Sequence, residues 1–504
     1  MTRGKPTTLR WALQHGMPRV ALLAAARRDD PLARMILDPA ARSHPEPYFE
    51  RIRSDGQLSR GRLMYITASH AAAKQVLKSG DFGVGDAYAA YPRLLGNAVR
   101  WSQQPESLRV TDAPSMAAVD DPDHARYRRL VSRAFTARTV ERLRDRIEAV
   151  TERTLDEMAK RGDADLATSF SLTLPITIIA DILGVPEDEA PVLQHFGMRL
   201  GRSIDAGQSL RDFRRTDRDV RAFNRWLHGH LERLRRAPGD NLLSALVCPE
   251  RAEDELSPVE LQAIAGLLLN AGFMTTTTML TSGADLLLRH PEERARLEAD
   301  PSLWGNAIDE ILRMDAPLRV SARTAMRPTE VQGQPLEPGT RVVVLVTAAN
   351  RDPEAFDDPD RFDVARANAH DHLAFSVGRH FCIGSGLARL EGEIGLHRLL
   401  ERFPDLRLRV GAERRAYWGL SAWKALPVSL GTPGRPHAAS MRDAASDAAG
   451  VHGAGSPAAG HPSSAEPSKS AASIAERAAL ARAAAGSSRS SCPAAASRAR
   501  ACPA

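Results

Sequence analysis

One cysteine in a tight frame of glycines constrains this chain more than any other feature. The run is Phe375-Ser376-Val377-Gly378-Arg379-His380-Phe381-Cys382-Ile383-Gly384. An aromatic residue stands seven positions before Cys382, and Arg379 and His380 place cations just before it. A thiolate needs N–H groups to stabilise its charge and apolar walls to shield its sulfur. Gly378, Gly384 and Gly386 allow turns and a close backbone approach to a flat surface that side chains would block. Those are the needs of a thiolate held to one face of a haem iron. Two other readings of Cys382 stand beside this one. Free cysteine is commonly a buried, inert structural residue. A nucleophile served by His380 is the second, although residues two apart in a loop rarely face each other.

The frame F-x-x-G-x-H-x-C-x-G resembles the cysteine loop of the cytochrome P-450 family. Further segments carry the resemblance in the family's order. Asp120-Asp121-Pro122-Asp123-His124-Ala125-Arg126-Tyr127-Arg128 is similar to its third main helix. Ala271-Gly272-Phe273-Met274-Thr275-Thr276 resembles the long helix that crosses the haem. Glu310-Ile311-Leu312-Arg313 resembles a buried E-x-x-R pair, with Arg361 of the Phe356–Phe362 segment as its third member. Arg323-Thr324-Ala325 resembles the strand that reaches a haem propionate. The resemblance spans about residues 40–432 and is strongest to soluble bacterial members of actinobacterial type.

The resemblance implies a mainly α fold with a minor β-sheet, with haem b between the long central helix and the cysteine loop. Cys382 is the implied metal ligand. His124, Arg128, Arg323 and His380 are the implied propionate anchors, and Phe375, Gly378 and Gly384 frame the cofactor. Buried carboxylates need such cations. Without the resemblance, His124 and Arg128 are two residues on one basic helix face. Ala271 and Gly272 mark where the family's helix bulges to make room for dioxygen. Thr275 is the implied oxygen- and water-ordering hydroxyl. The preceding position normally holds an acid, and here it is Met274. A thioether carries no proton, and methionine in an apolar helix is also a plain gap-filler. Thr277 and Thr278 are expected to back-bond to the preceding turn.

Pattern alone gives the coarse organisation. Residues 1–40 read as a helical lead-in. Leu63–Ile66 and Arg341–Val346 suit strands, Thr139–Met158 and Ile264–Leu288 suit helices, and a helix follows the cysteine loop over about 386–403. Residues 1–432 are expected to form the haem domain. From 433 to 504 the chain is Ala, Ser, Gly, Pro and Arg without aromatics, and such a segment is expected to stay disordered. The four cysteines, Cys248, Cys382, Cys492 and Cys502, suggest no disulfide framework. A formal charge of +6 with both signs interspersed argues against a nucleic-acid binder. No apolar run is expected to span a bilayer, Gln14-His15-Gly16 and Pro18 interrupt any secretory signal, and a cytoplasmic protein without membrane anchor is expected.

The function implied is monooxygenation of a small or medium lipophilic substrate. No flavin or iron–sulfur motif is visible, so electrons are expected from a ferredoxin and an NAD(P)H-dependent ferredoxin reductase. Arg126, Arg129, Arg133 and Arg379 are candidates for a basic docking patch. Met274 keeps open a peroxide-using or non-oxygenating haem enzyme. A non-catalytic haem or ligand carrier is the reading outside enzymes. Arg319 is expected to face solvent; turned inward, it would suit a carboxylate-bearing substrate.

Overall fold

The structure is a computed structural model and describes residues 6–85, 93–249 and 251–432. The expected tail over 433–504, with Cys492 and Cys502, lies outside the described residues. Helices dominate, and the sheets are small.

The central helix, Pro258–Arg289, organises the molecule. Ser257 caps it, and Glu260 returns a bond to the cap in a full capping box. Its apolar residues run nearly all the way round because it is packed on several sides. Against it lie Thr173–Leu183, the helix Ser385–Arg402 and the long amphipathic helix Leu210–Arg236. Two stretches, Leu166–Leu183 and Pro258–Arg289, are long and apolar enough to cross a membrane, contrary to the sequence expectation. Most of each is buried in the protein core, which is where that apolarity is used.

The main sheet has five strands in the order Ser59–Arg60, Tyr65–Thr67, Arg341–Leu345, Val320–Ala325, Phe82–Gly83. Only the Tyr65–Thr67 and Arg341–Leu345 pair is parallel. Arg323 sits in the Val320–Ala325 strand opposite Val342, so its backbone is fixed from the Arg341–Leu345 side.

The helix Trp304–Met314 carries Glu310 and Arg313, both fully buried. Arg313 Nε donates to Glu310 Oε2 at 2.6 Å and its Nη2 to Oε1 at 2.8 Å. The third member is Arg366, not Arg361. Arg366 Nε donates to Glu310 Oε1 at 3.2 Å, and Arg361 offers only its carbonyl to Arg313 and Arg366. The side chain of Arg361 is exposed, whereas Arg366 is 8% exposed. Turns at Asp358 and Arg361 carry the chain past the pair before Arg366 returns to it.

Candidate functional site

Backbone bonds shape the cysteine loop. Cys382 N–H donates to the Phe375 carbonyl at 2.9 Å, and Phe381 N–H to that of Gly378 at 3.0 Å. Gly378 has φ +76°, and a Cβ there would lie 3.0 Å from Leu77 O and from Lys78 Cα. Both conformation and space therefore demand glycine. A Cβ at Gly384 or Gly386 would meet nothing within 4 Å, so the start of the following helix opens onto free space. Phe375 is buried, with the Arg389 guanidinium 4.7 Å from its ring centre. Arg389 also bonds Asp309, which accepts from His372 as well, and this ties the loop to the Trp304–Met314 helix.

The Cys382 side chain is exposed, yet desolvation by surrounding protein pushes its thiol pKa up. Its exposure thus faces a recess within the fold. The Gly384 N–H, Arg128 and Arg389 act in the opposite direction and favour the thiolate. Arg128 reaches this loop by its Nη1, which donates to the Phe381 carbonyl at 2.8 Å and sets the guanidinium on the thiol side.

Three expected anchors come together around Asp120. The His124 and His380 rings are 4.1 Å apart. His380 Nε2 lies 3.8 Å from Asp120 Oδ1, and this contact with the backbone N–H groups of Val84 and Gly85 holds the Asp120 carboxyl far below the usual range. Burial lowers the His124 pKa, helped by His380. Arg323 is 6% exposed, and among the described residues its side chain bonds only to Ser321 Oγ and the Ala322 carbonyl. Desolvation brings it down to about 10, with Asp120 opposing the shift. A buried guanidinium without a bound carboxylate is costly. It suits an anionic group of a cofactor, and the free space at Gly384 and Gly386 suits a flat one. The residues present fit haem.

On the central helix, Thr275 Oγ1 donates to the Ala271 carbonyl at 2.8 Å. The single hydroxyl proton is spent there, so the oxygen presents lone pairs. The helix is continuous, without the expected bulge. Gly272 serves packing instead, since a Cβ there would stand 2.8 Å from Ile179 Cγ1 on the neighbouring helix. Thr278 back-bonds as expected, to Met274 O at 3.1 Å, but Thr277 Oγ1 is buried without a partner. Met274 packs in an apolar cluster with Tyr417, Leu420 and Ile204 and is a gap-filler by contact.

Sequence reasoning missed Glu391. It lies on the helix after the cysteine loop and is 2% exposed. Burial raises its pKa to about 8, opposed only by a hydrogen bond with Thr276. The signal was present: an acid on the apolar face formed by Leu387, Leu390 and Ile394. The native protein holds a proton at Glu391 that the unfolded chain releases above about pH 4.5. Its contribution to stability is therefore lost progressively as pH rises from about 4.5 to about 8. Glu391→Gln removes that loss, so its unfolding free energy should gain on the parent's between pH 5 and pH 9, by a few kcal/mol at most, and its thermal midpoint should rise relative to the parent's over the same range. A constant gap in paired melts across that range rejects the buried acid.

A cavity lies between the central helix and the Leu210–Arg236 helix, with Leu108, Arg109, Phe223, Asn224, Ala263 and Asn270 among its lining residues. Leu318 is exposed and bridges to Leu420. Arg319 is half-buried rather than free in solvent: its Nη1 donates to the Arg42 carbonyl at 3.0 Å, and burial lowers its pKa against the pull of Asp315. Of the proposed basic patch, Arg126 pairs with Glu260, Arg129 with Asp254 and Arg379 with Asp121. That neutralisation removes most of the expected patch charge.

The sequence profile described as cytochrome P450 matches residues 302–408. A Mycobacterium tuberculosis protein named cytochrome P450 140 is 43% identical over 84% of this chain and 97% of its own length. The 6-deoxyerythronolide B hydroxylase of Saccharopolyspora erythraea is 39% identical over 70% of this chain and 86% of its own. The myxobacterial cytochrome P450 CYP267B1, solved with myristic acid, superposes with a TM-score of 0.70 at 31% identity, covering 79% of this chain and 99% of that one.

Proposed function

Since the chain belongs to the cytochrome P450 family and is a haem b monooxygenase, we propose that it oxygenates a medium-sized lipophilic molecule with electrons from a separate ferredoxin and its reductase in the cytoplasm. The observation that carries the site assignment is the convergence of the Cys382 loop with the buried, carboxylate-free Arg323 and the His124–His380 pair. Residues 1–432 form the haem domain in this reading, and 433–504 are dispensable for turnover.

Haem, when bound, supplies the activation of dioxygen, and a thiolate ligand favours O–O cleavage. Cys382 supplies that thiolate. Arg323, His124 and His380 would hold the propionates, and Arg128, with its Nη1 on the Phe381 carbonyl, would sit beside the thiolate. Thr275 uses its lone pairs to hold a water whose protons point towards the reacting face. Met274 cannot recharge that water. Among the described residues, the acid brought to this stretch is Glu391, through Thr276. The consequence is slow proton supply and electrons lost to peroxide.

The substrate carries polar groups on a lipophilic frame. The cavity wall mixes Leu108, Phe223 and Ala263 with Arg109, Asn224 and Asn270, and one relative is named for hydroxylating 6-deoxyerythronolide B. Spectral titration of the purified protein with such lipophiles tests this reading. A spin-state change with product from NAD(P)H supports it. A spin-state change with no product under any redox supply sinks it in favour of a carrier.

Met274→Glu should raise product formed per NAD(P)H consumed, at the cost of the apolar contacts around Tyr417 and Leu420. An unchanged ratio with a good substrate means that an acid at this position is not what limits coupling. Turnover driven by peroxide but not by the reductase chain would instead assign a peroxide-using enzyme.

A further inference from the structure

The first twenty-eight residues contain Arg3, Lys5, Arg10, Arg19, Arg27 and Arg28 and no acid. From Thr7 to Ala26 the chain is helical, with one π-turn over Ala12–Gly16. Its inner side is firmly attached. Arg10 pairs with Asp217 at 2.6 Å, both buried. Trp11 Nε1 donates to Gln208 O, Arg19 Nη1 to Gly207 O, and Gln14 Nε2 to Ser102 Oγ.

The outer side is apolar and exposed. Leu9, Met17, Val20 and Leu23 are all exposed, Val20 to 66%, with Ala21 and Ala24 between them. The helix Arg93–Ser102, which packs beside the π-turn, adds Leu94 at 87% and Trp101 at 57%. Half of the exposed large hydrophobic residues among those described lie on these two elements. The polar border is cationic. Arg27 and Arg28 are exposed at the end of the helix, and Arg214 and Arg215 are exposed within one turn of Asp217, the partner of Arg10; among the described residues none of the four pairs with a carboxylate.

We propose that this face adsorbs to an anionic phospholipid surface. An amphipathic helix of moderate length, apolar outside and bordered by arginine, lies flat in the interface with its apolar residues in the headgroup and acyl boundary. Each cation near such a surface adds attraction that salt weakens. A second copy of this chain would carry the same unopposed positive border and would be repelled by it. Tryptophan at the edge suits the same interface. The attachment is peripheral, because the helix carries Arg10 and Arg19 and its inner side is bonded to the protein.

Adsorption would set the cofactor pocket near dissolved lipophiles. A second cavity, lined by Arg10, Gln14, Gln104 and Leu108, lies under the helix, and Leu108 also lines the pocket beside the central helix. This consequence rests on the proposed function. The adsorption itself does not, so it is tested without turnover.

The test is co-sedimentation of the full-length holoprotein with vesicles of phosphatidylcholine alone or with phosphatidylglycerol. Binding is expected only to the anionic vesicles and should fall steeply as salt rises. M17E combined with V20E should weaken it by about tenfold or more. The carbonyl spectrum and circular dichroism of the variant should match the parent, since neither side chain touches the haem site. No sedimentation of the parent with anionic vesicles overturns the proposal. Equal binding by parent and variant overturns it too, because another surface is then responsible. A parent dimer that the variant loses, without vesicle binding, assigns the face to a second copy instead.

Discussion

Glu310→Ala and Arg366→Ala will give protein that is largely insoluble or free of pigment, whereas Arg361→Ala will be close to the parent. Glu310 accepts from Arg313 twice, from Arg366 and from the Asp363 N–H. Removing its carboxylate leaves two buried guanidinium groups without a counter-charge. Breaking a buried pair costs roughly 3–5 kcal/mol, against a total stability of about 5–15 kcal/mol. Arg366→Ala strands Glu310 in part and also releases the carbonyls of Asp357, Asp358 and Arg361. Arg361 contributes only a carbonyl, which alanine retains, and exposed substitutions usually stay within about 0.5 kcal/mol. Haem per polypeptide and urea midpoints of the three variants decide the matter. A pigmented, stable Arg366→Ala beside a collapsed Arg361→Ala would reverse the assignment.

Cys382→Ala will abolish product formation and the red-shifted Soret band of the reduced carbonyl complex, with the circular dichroism unchanged. The loop is held by main-chain bonds from Cys382 N–H to Phe375 O and from Phe381 N–H to Gly378 O, and alanine keeps them. The lost sulfur faces a recess, so little packing is lost with it. The loss is therefore chemical, with the sulfur and its charge gone and the frame intact. A variant that retains the red-shifted band would move the thiolate away from position 382 and reject the reading of the whole site.

Much of this was legible in the chain because the chemistry is local there. The glycines around Cys382 announce a loop that must approach something closely, and Gly378 does need both its φ and its lack of Cβ. The apolar run from Ile264 to Leu288 showed a buried helix, and Ser257-Pro258 with Glu260 fixes its start six residues earlier. Arg341–Leu345 and Tyr65–Thr67 fell where β-branched residues cluster.

What was misread depends on contacts between distant segments. Arg361 and Arg366 are five residues apart in an irregular stretch, and only the path of the turns decides which guanidinium returns to Glu310. Gly272 marks close approach correctly, but what approaches is Ile179. Arg126, Arg129 and Arg379 looked like free charge because their acids, Glu260, Asp254 and Asp121, are remote in sequence. Arg319 is half-buried against the carbonyl of Arg42, more than 250 residues earlier.

The attachment of the first helix also sets a schedule for synthesis. Its polar partners Gly207, Gln208 and Asp217 lie 188 to 207 residues further along the chain. At about 5–20 residues per second on the ribosome, the helix emerges roughly 10–40 seconds before these three partners. During that interval an arginine-rich, leucine-bearing segment is tethered to a translating ribosome without the partners that fix its buried arginine, and whatever shelters it then governs the yield of folded enzyme.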